Sequence, residues 1–131
     1  MLLSALSMRA QHAPEMKPVY MFGFATSFTD SLAYITDIQL VDSAYLYKNG
    51  FLSDRTLYSE QLANKTQQMG HANMTCAVFF SPKKAAVEKK YLRVKRRYGR
   101  DHGVVVTSLG NNEFRFKAIP FEEVVVKEVE Q

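Results

Sequence analysis

The stretch MTCAVFFSPKKAAVEKKYLRVKRRYGR, residues 74–100, decides how this chain folds. Its first part, Met74 to Phe80, is an apolar run that predicts a buried strand. Ser81 and Pro82 then form a helix-start signal, because serine accepts a hydrogen bond from the first turn and proline suits the first helical position. Gly99 is placed to end the helix in a left-handed conformation. The stretch therefore predicts a strand that leads directly into a helix.

The predicted helix has one apolar stripe and is strongly basic on its other sides. Val87, Tyr91, Val94 and Tyr98 recur at i, i+4, i+7 and i+11, which places them along one side of a helix. This stripe predicts packing against a sheet. The other sides carry one acid, Glu88, and a set of basic residues that we take as a candidate polyanion- or partner-binding surface: Lys83, Lys84, Lys89, Lys90, Arg93, Lys95, Arg96, Arg97 and Arg100.

The net charge of the chain conceals an uneven distribution. The chain has a formal charge of +4, and residues 81–100 hold 9 of its 17 basic residues but 1 of its 13 acidic residues. Nine positive charges against one negative give this stretch +8, which leaves −4 for the rest of the chain. A positive ridge attracts phosphate polymers and anionic lipid surfaces. The alternative is a solvated face whose aliphatic stems simply cover the helix.

Length and composition indicate one folded domain. The 131 residues are 47% hydrophobic and 23% charged, which suits a single buried core and argues against disorder. No run approaches the roughly 20 apolar residues that a membrane span needs, so no transmembrane span is expected. Within the chain, we expect the domain at 17–119 and an acidic tail or edge strand at 120–131.

The first residues, 1–16, differ from the rest and predict either a leader remnant or a disordered tail. Leu2, Leu3, Ala5 and Leu6 are typical of the second half of a signal-peptide apolar region, although a positively charged start is missing. The ending Arg9-Ala10-Gln11, followed by an aromatic-rich domain, resembles the small exported proteins of unknown function of the Bacteroidetes type. That resemblance implies export to the periplasm or cell envelope and no activity. Export and a cytoplasmic location both remain open.

The remaining elements are predicted from local patterns. Pro18–Phe28 and Leu32–Val41 predict an antiparallel hairpin, and residues 42–55 predict either a small hairpin around Asn49-Gly50 or an ordered loop. Thr56–Met69 predicts a helix capped by Ser53. The segments 104–109 and 113–119 predict two more strands, and in the second of them Phe114, Phe116 and Ala118 alternate with Arg115 and Lys117.

The resulting order, β-β-α-β-α-β-β, predicts an α+β two-layer sandwich. Its mixed or antiparallel sheet would have about five strands, with both helices on one face. The other face would be exposed, closed by the C-terminal tail, or used for a protein partner or self-association.

The residues that could carry chemistry form no recognisable catalytic or metal-binding motif. Cys76 lies in a predicted strand and is expected to be a small buried thiol, and one cysteine excludes an internal disulfide. His12, His71 and His102 are too scattered for a metal site, and no phosphate-binding glycine motif occurs. We therefore expect no catalytic residues, no metal and no cofactor.

Two further interpretations remain beside a non-enzymatic binding or structural domain. One is a nucleic-acid-binding module whose basic helix, residues 82–100, lies on the phosphate backbone. The other is a hydrolase in which Asp37 and a neighbouring acid, Asp30 or Asp42, form an acid/base pair at the mouth of the first hairpin. Asp residues at strand ends more often cap turns, which favours the binding interpretations.

Overall fold

The computed structural model describes residues 13–27, 29 and 31–121, with the side chain of Asp101 left out. Residues 1–12 of the predicted leader segment 1–16 and residues 122–131 of the predicted tail 120–131 lie outside this description. The strands are β1 (Glu15–Thr26), β2 (Leu32–Thr36), β3 (Gln39–Leu46), β4 (Thr75–Ser81) and β5 (Val105–Leu109). The helices are α1 (Arg55–Gln68) and α2 (Lys84–Lys95), and a π-helical turn, Arg96–Asp101, continues α2. The α+β class is confirmed, and so is the order β-β-α-β-α-β when β2 and β3 count as two parts of one strand.

Strand β1 is the centre of a mixed sheet. Along one edge it pairs antiparallel with β4, and along the other it pairs antiparallel with β2 and then β3. β5 adds to the outer edge of β2 in parallel. β2 and β3 are two parts of one bent strand that breaks at 37–38, so the predicted hairpin is confirmed but its second strand extends to Leu46.

The two helices lie on opposite faces of this sheet. Neighbouring residues of a strand point to opposite faces. Gly23 of β1 faces Leu62 of α1, whereas the rings of Phe22 and Phe24 contact Tyr91 of α2 and Tyr98 of the π-helical turn, with centroids 5.3 and 4.6 Å apart. The prediction of a two-layer sandwich with both helices on one face is therefore wrong. The sheet is the middle of three layers, and α2 covers the face expected to accept a protein partner or self-association.

The face under α1 is completed by the C-terminal segment 114–119. Phe114 and Phe116 are buried and Arg115 and Lys117 are exposed, as the alternation predicts, although Ala118 is also exposed. The prediction of a strand at 113–119 is nevertheless wrong, because the segment forms no backbone ladder. Its backbone is bonded to side chains instead.

Two glutamine side chains take the place of a neighbouring strand. Gln39 donates from Nε2 to the Phe114 carbonyl (3.1 Å) and accepts from the Phe116 N–H (2.8 Å). Gln61 of α1 makes the same pair of bonds with the N–H and carbonyl of Lys117, both at 2.9 Å. The Ile119 N–H donates to the Tyr58 hydroxyl at 3.0 Å. Backbone groups of the segment are thus hydrogen-bonded to side chains, although the segment is not a strand.

The ends of both helices differ in detail from the prediction. Ser81 accepts a hydrogen bond from the Lys83 N–H (3.1 Å), but α2 begins at Lys84. Gly99 lies inside the π-helical turn, and the left-handed glycine that follows the turn is Gly103, with φ +66°. Helix α1 is preceded by Asp54 in the left-handed region, without a side-chain cap, so Ser53 is not its N-cap. In the 42–55 region, Leu46 bridges Leu52, which makes a small hairpin.

At Gly23, β1 lies close to the layer formed by α1 and the segment 114–119. A Cβ at this position would lie 2.7 Å from Leu62 Cδ2 and 3.0 Å from Phe116 Cζ. We expect Gly23→Ala to lower the free energy of unfolding by about 1–3 kcal/mol, because a core without free space resists added atoms. Urea denaturation followed by circular dichroism measures this.

Gly110→Ala is the matched control, since its nearest neighbours are 3.8 Å away or more and its φ is not positive. It should change stability by less than about 0.5 kcal/mol, as surface substitutions generally do. Equal effects of the two substitutions would show that crowding at Gly23 is not what excludes a side chain.

Candidate polyanion-binding ridge

The basic residues predicted as a binding surface are exposed along α2 and the turns at its two ends. All nine side chains are exposed: Lys83, Lys84, Lys89, Lys90, Arg93, Lys95, Arg96, Arg97 and Arg100. We call this set the basic ridge. Lys89, Lys90, Arg93, Arg96 and Arg97 are spaced at i, i+1, i+4, i+7 and i+8, so they lie along the same side of the helix. The structure thus places five of the nine predicted residues on one side of the helix, whereas Lys95 lies beside Tyr91.

The basic ridge is fixed to the sheet through the opposite side of α2. Val87 is fully buried, and Tyr91, Val94 and Tyr98 are half-buried against a core formed by Phe22, Phe24, Ala33 and Ile35. The predicted packing of this stripe against a sheet is confirmed. Because this stripe anchors the helix along its length, the basic side chains project from a rigid support.

Little negative charge opposes the ridge. Within the described residues, no ion pair joins any of the nine side chains to a carboxylate, and the one acid of α2, Glu88, is exposed. The Lys95 ammonium lies 5.4 Å from the centroid of the Tyr91 ring, at cation–π distance. Like charges three and four residues apart destabilise a helix by about 0.2–0.5 kcal/mol for each pair. The arrangement therefore costs stability, as functional surfaces often do.

Leu92 is an apolar side chain within the ridge that the sequence analysis missed. It is 62% exposed and lies between Lys89 and Arg96 on the outward side of α2. Its exposure could have been predicted, because Leu92 does not fit the i, i+4, i+7 spacing of Val87, Tyr91 and Val94. It gives the ridge one apolar contact point among its charges.

Among the described residues, the candidate catalytic residues are not assembled into a site; Asp30 and His12 lie outside that description. Asp37 is half-buried where β2 meets β3, and its N–H donates to the Leu109 carbonyl (3.1 Å), whereas Asp42 is exposed on β3. His71 lies 3.1 Å (Nε2) from the Tyr34 hydroxyl, and His102 is exposed on the other face. Among the residues that the structure describes, no group of three or more His, Cys, Asp or Glu is arranged to hold a metal ion.

Cys76 is half-buried in β4 rather than fully buried. Burial raises the pKa of its thiol, and a hydrogen bond with the Thr66 side chain offsets part of that rise. Because the thiolate is the reactive form, a raised pKa reduces nucleophilicity at neutral pH. The position therefore favours a structural thiol.

Alkylation of Cys76 by iodoacetamide should be slow at neutral pH and should accelerate only at a pH above the ordinary thiol pKa of about 8.5. The rate is measured by mass spectrometry across a pH series. The same chain in urea, where the thiol is solvated, provides the control and should show the ordinary midpoint. A native midpoint below that of the unfolded chain would contradict the assignment.

Comparisons with known proteins suggest no function, so we infer one from this geometry. No family model, no curated protein and no solved structure matches the chain. In addition, none of the helices in the described part of the chain is both long and apolar enough to cross a membrane.

Proposed function

We propose that this protein is a non-enzymatic binding domain whose basic ridge contacts the phosphate backbone of nucleic acids. The observation that carries the proposal is the ridge itself, nine exposed basic side chains on one anchored helix without a neutralising partner among the described residues. Such a surface gains affinity by releasing condensed counterions from the polyanion.

The ridge favours backbone contact over recognition of bases. Proteins that bind single strands through bases offer exposed aromatic rings for stacking. Here the rings of Tyr91 and Tyr98 are half-buried against Phe22 and Phe24 and face the sheet. We therefore expect binding with little dependence on nucleotide sequence, since phosphate contacts carry no sequence information.

The ridge also favours a phosphate polymer over insertion into a membrane. An interfacial helix buries its apolar face in the lipid. The apolar face of α2 already packs on the sheet, and Leu92 is the only large hydrophobic side chain exposed on that helix. Anionic lipid could meet the ridge only through charge, which is weaker without an inserted apolar face.

The binding experiment is a fluorescence-anisotropy titration of labelled duplexes of two unrelated sequences over a KCl series. If the five residues on one side of α2 each neutralise a phosphate, log K should fall with log[salt] at a slope of roughly −4 to −5. We expect equal affinities for both sequences and weaker binding to phosphatidylserine vesicles. An affinity that does not change with KCl concentration, or that depends strongly on the sequence of the duplex, would count against the proposal.

Export to the periplasm or cell envelope stays a prediction from the N-terminal sequence. An exported chain would present the same ridge to envelope glycans or anionic lipid instead of nucleic acid. Intact mass of the protein from its own host tests this, because removal of a leader would place the mature N-terminus near residues 10–12. An uncleaved chain would support the nucleic-acid proposal.

A further inference from the structure

An apolar cleft opens between the C-terminal part of α2 and the sheet. Its volume is about 480 Å³. Its walls come from β1, β4, α2 and the chain that follows the π-helical turn, and they include Phe24, Ala77, Phe79, Val94, Tyr98 and Val104. The volume lies within the range of about 300–1,000 Å³ that small-molecule sites occupy.

The cleft exists because the core beneath α2 is incompletely filled. Phe24 is almost fully buried, at 4% exposure, but Phe79, Val94, Tyr98 and Val104 remain half-buried around the opening. Apolar surface that stays in contact with water favours any ligand that covers it, by about 25 cal/mol for each Å² removed from water. The apolar wall thus selects a ligand with an apolar body.

Four side chains that line the cleft are polar: Thr26, Thr75, Tyr98 and His102. Tyr98 lies in the π-helical turn, a geometry that is frequent at functional sites. His102 also lines the cleft, with its ring 5.6 Å from that of Tyr98. Within the described residues, neither the Tyr98 hydroxyl nor the His102 ring is hydrogen-bonded to protein. Both can donate a hydrogen bond to an anion.

The residues around the cleft carry a net positive charge, which suits an anionic ligand. Residues 93–102 contain five basic residues and one acid, Asp101. Arg97 and Arg100 flank Tyr98 closely in sequence, and both side chains are exposed. A positive surround attracts an anionic ligand and disfavours a cationic one.

We propose that this cleft binds a small anionic amphiphile, a molecule with one apolar chain or ring system and one carboxylate or sulfonate. The apolar body lies against Phe24, Phe79 and Val94. The anionic group lies at the rim, toward Tyr98, His102 and the arginines. The apolar wall is separate from the side of α2 assigned to nucleic acid. Arg97 and Arg100 belong to both surfaces, so the two proposals are distinguished by variants of the apolar wall.

The probe is 1-anilinonaphthalene-8-sulfonate, an aromatic sulfonate whose fluorescence rises in apolar surroundings. Dodecanoate should displace it from the full-length protein, with an affinity that calorimetry measures directly. Dodecyltrimethylammonium, which has the same chain with a cationic head, should bind at least about tenfold more weakly, equivalent to about 1.4 kcal/mol. Equal affinities would show an unspecific apolar surface and overturn the assignment.

Two kinds of variant place the ligand. Ala77→Leu fills the cleft and should weaken dodecanoate by about tenfold or more, whereas Ala85→Leu adds the same atoms to the exposed side of α2 and should leave it within about twofold. Arg97→Gln with Arg100→Gln alters only exposed side chains and should abolish the preference for the anionic head. Dodecanoate binding that survives Ala77→Leu unchanged, or a preference that survives the double arginine variant, would contradict the proposal.

The Ala77→Leu variant also separates this site from the proposed function. Because it keeps all nine basic residues of the ridge, its affinity for duplex DNA should equal that of the unmodified protein. Loss of duplex binding by an Ala77→Leu protein whose melting temperature is unchanged would contradict the separation of the two sites.

Discussion

Replacing Lys89, Arg93 and Arg96 by glutamate is expected to raise the dissociation constant for duplex DNA by at least about 100-fold at low salt. These three side chains lie along one exposed side of α2. Each reversal removes a favourable charge from the phosphate backbone and adds a repulsive one, so the magnitude of the salt slope should also fall by roughly 0.9 for each phosphate that the protein no longer neutralises. Anisotropy titration over the KCl series measures both quantities.

A matched triple variant separates the ridge from net charge. Lys17, Lys48 and Arg115 are exposed on other parts of the molecule, and their replacement by glutamate lowers the formal charge from +4 to −2, as the ridge variant does. The control should weaken binding only a few-fold, through the long-range field. Similar reductions in both variants would mean that binding follows overall charge and that the ridge is an ordinary solvated face.

The melting temperature of the ridge variant should stay close to that of the original protein. The new glutamates repel one another along the helix, but at i+3 or i+4 spacing they also face Lys90, Arg97 and Arg100, so unfavourable and favourable pairs largely offset. A melting temperature that does not fall therefore excludes unfolding as the cause of weakened binding.

The second large effect is expected at Gln39, whose side chain anchors the C-terminal segment. Gln39 is buried, at 5% exposure, and bonds the Phe114 carbonyl and the Phe116 N–H. Gln39→Leu keeps the size of the side chain and leaves both backbone groups unpaired away from water. Each such group costs about 1–3 kcal/mol, so we expect a decrease of roughly 2–6 kcal/mol in the free energy of unfolding.

Gln61→Leu is the natural comparison, because Gln61 makes the same pair of bonds to Lys117 at a solvent-exposed site. Water can replace those bonds, so the decrease should stay below about 1 kcal/mol. Urea denaturation of both variants gives the difference. Equal, small decreases would show that the segment 114–119 is not held by buried amide bonds.

Local features of the sequence predicted the basic helix and its orientation well. The stripe of Val87, Tyr91, Val94 and Tyr98 and the charges between them depend only on helical periodicity, which is a short-range property. The individual residues of the candidate ridge could therefore be predicted from the sequence. The end of the helix could not, because the π-helical turn carries the chain past Gly99.

The sequence of β1 contains the pattern that places the two helices on opposite faces of the sheet. Both alternating sets of this strand are apolar, Met21 and Ala25 on one face and Phe22 and Phe24 on the other. A strand with two apolar faces is typical of a sheet covered on both sides. Its composition thus argued for three layers.

The C-terminal segment and the apolar cleft could not be predicted in this way. Gln39 meets Phe114 and Phe116 across more than seventy residues of sequence, through side-chain bonds that leave no periodic signal. The cleft is formed where β1, β4 and the end of α2 fail to fill the space between them. Both features are products of tertiary packing.

The most direct test of the central claim is an NMR titration of the 15N-labelled protein with a duplex of about 16 base pairs, below the ionic strength at which phosphate contacts are screened. Amide shifts should change for residues 83–100, with the largest changes around Lys89, Arg93 and Arg96 on the outward side of α2. Changes confined to α1, β3 or segment 114–119 would contradict the account, as would a spectrum that excess duplex leaves unaltered.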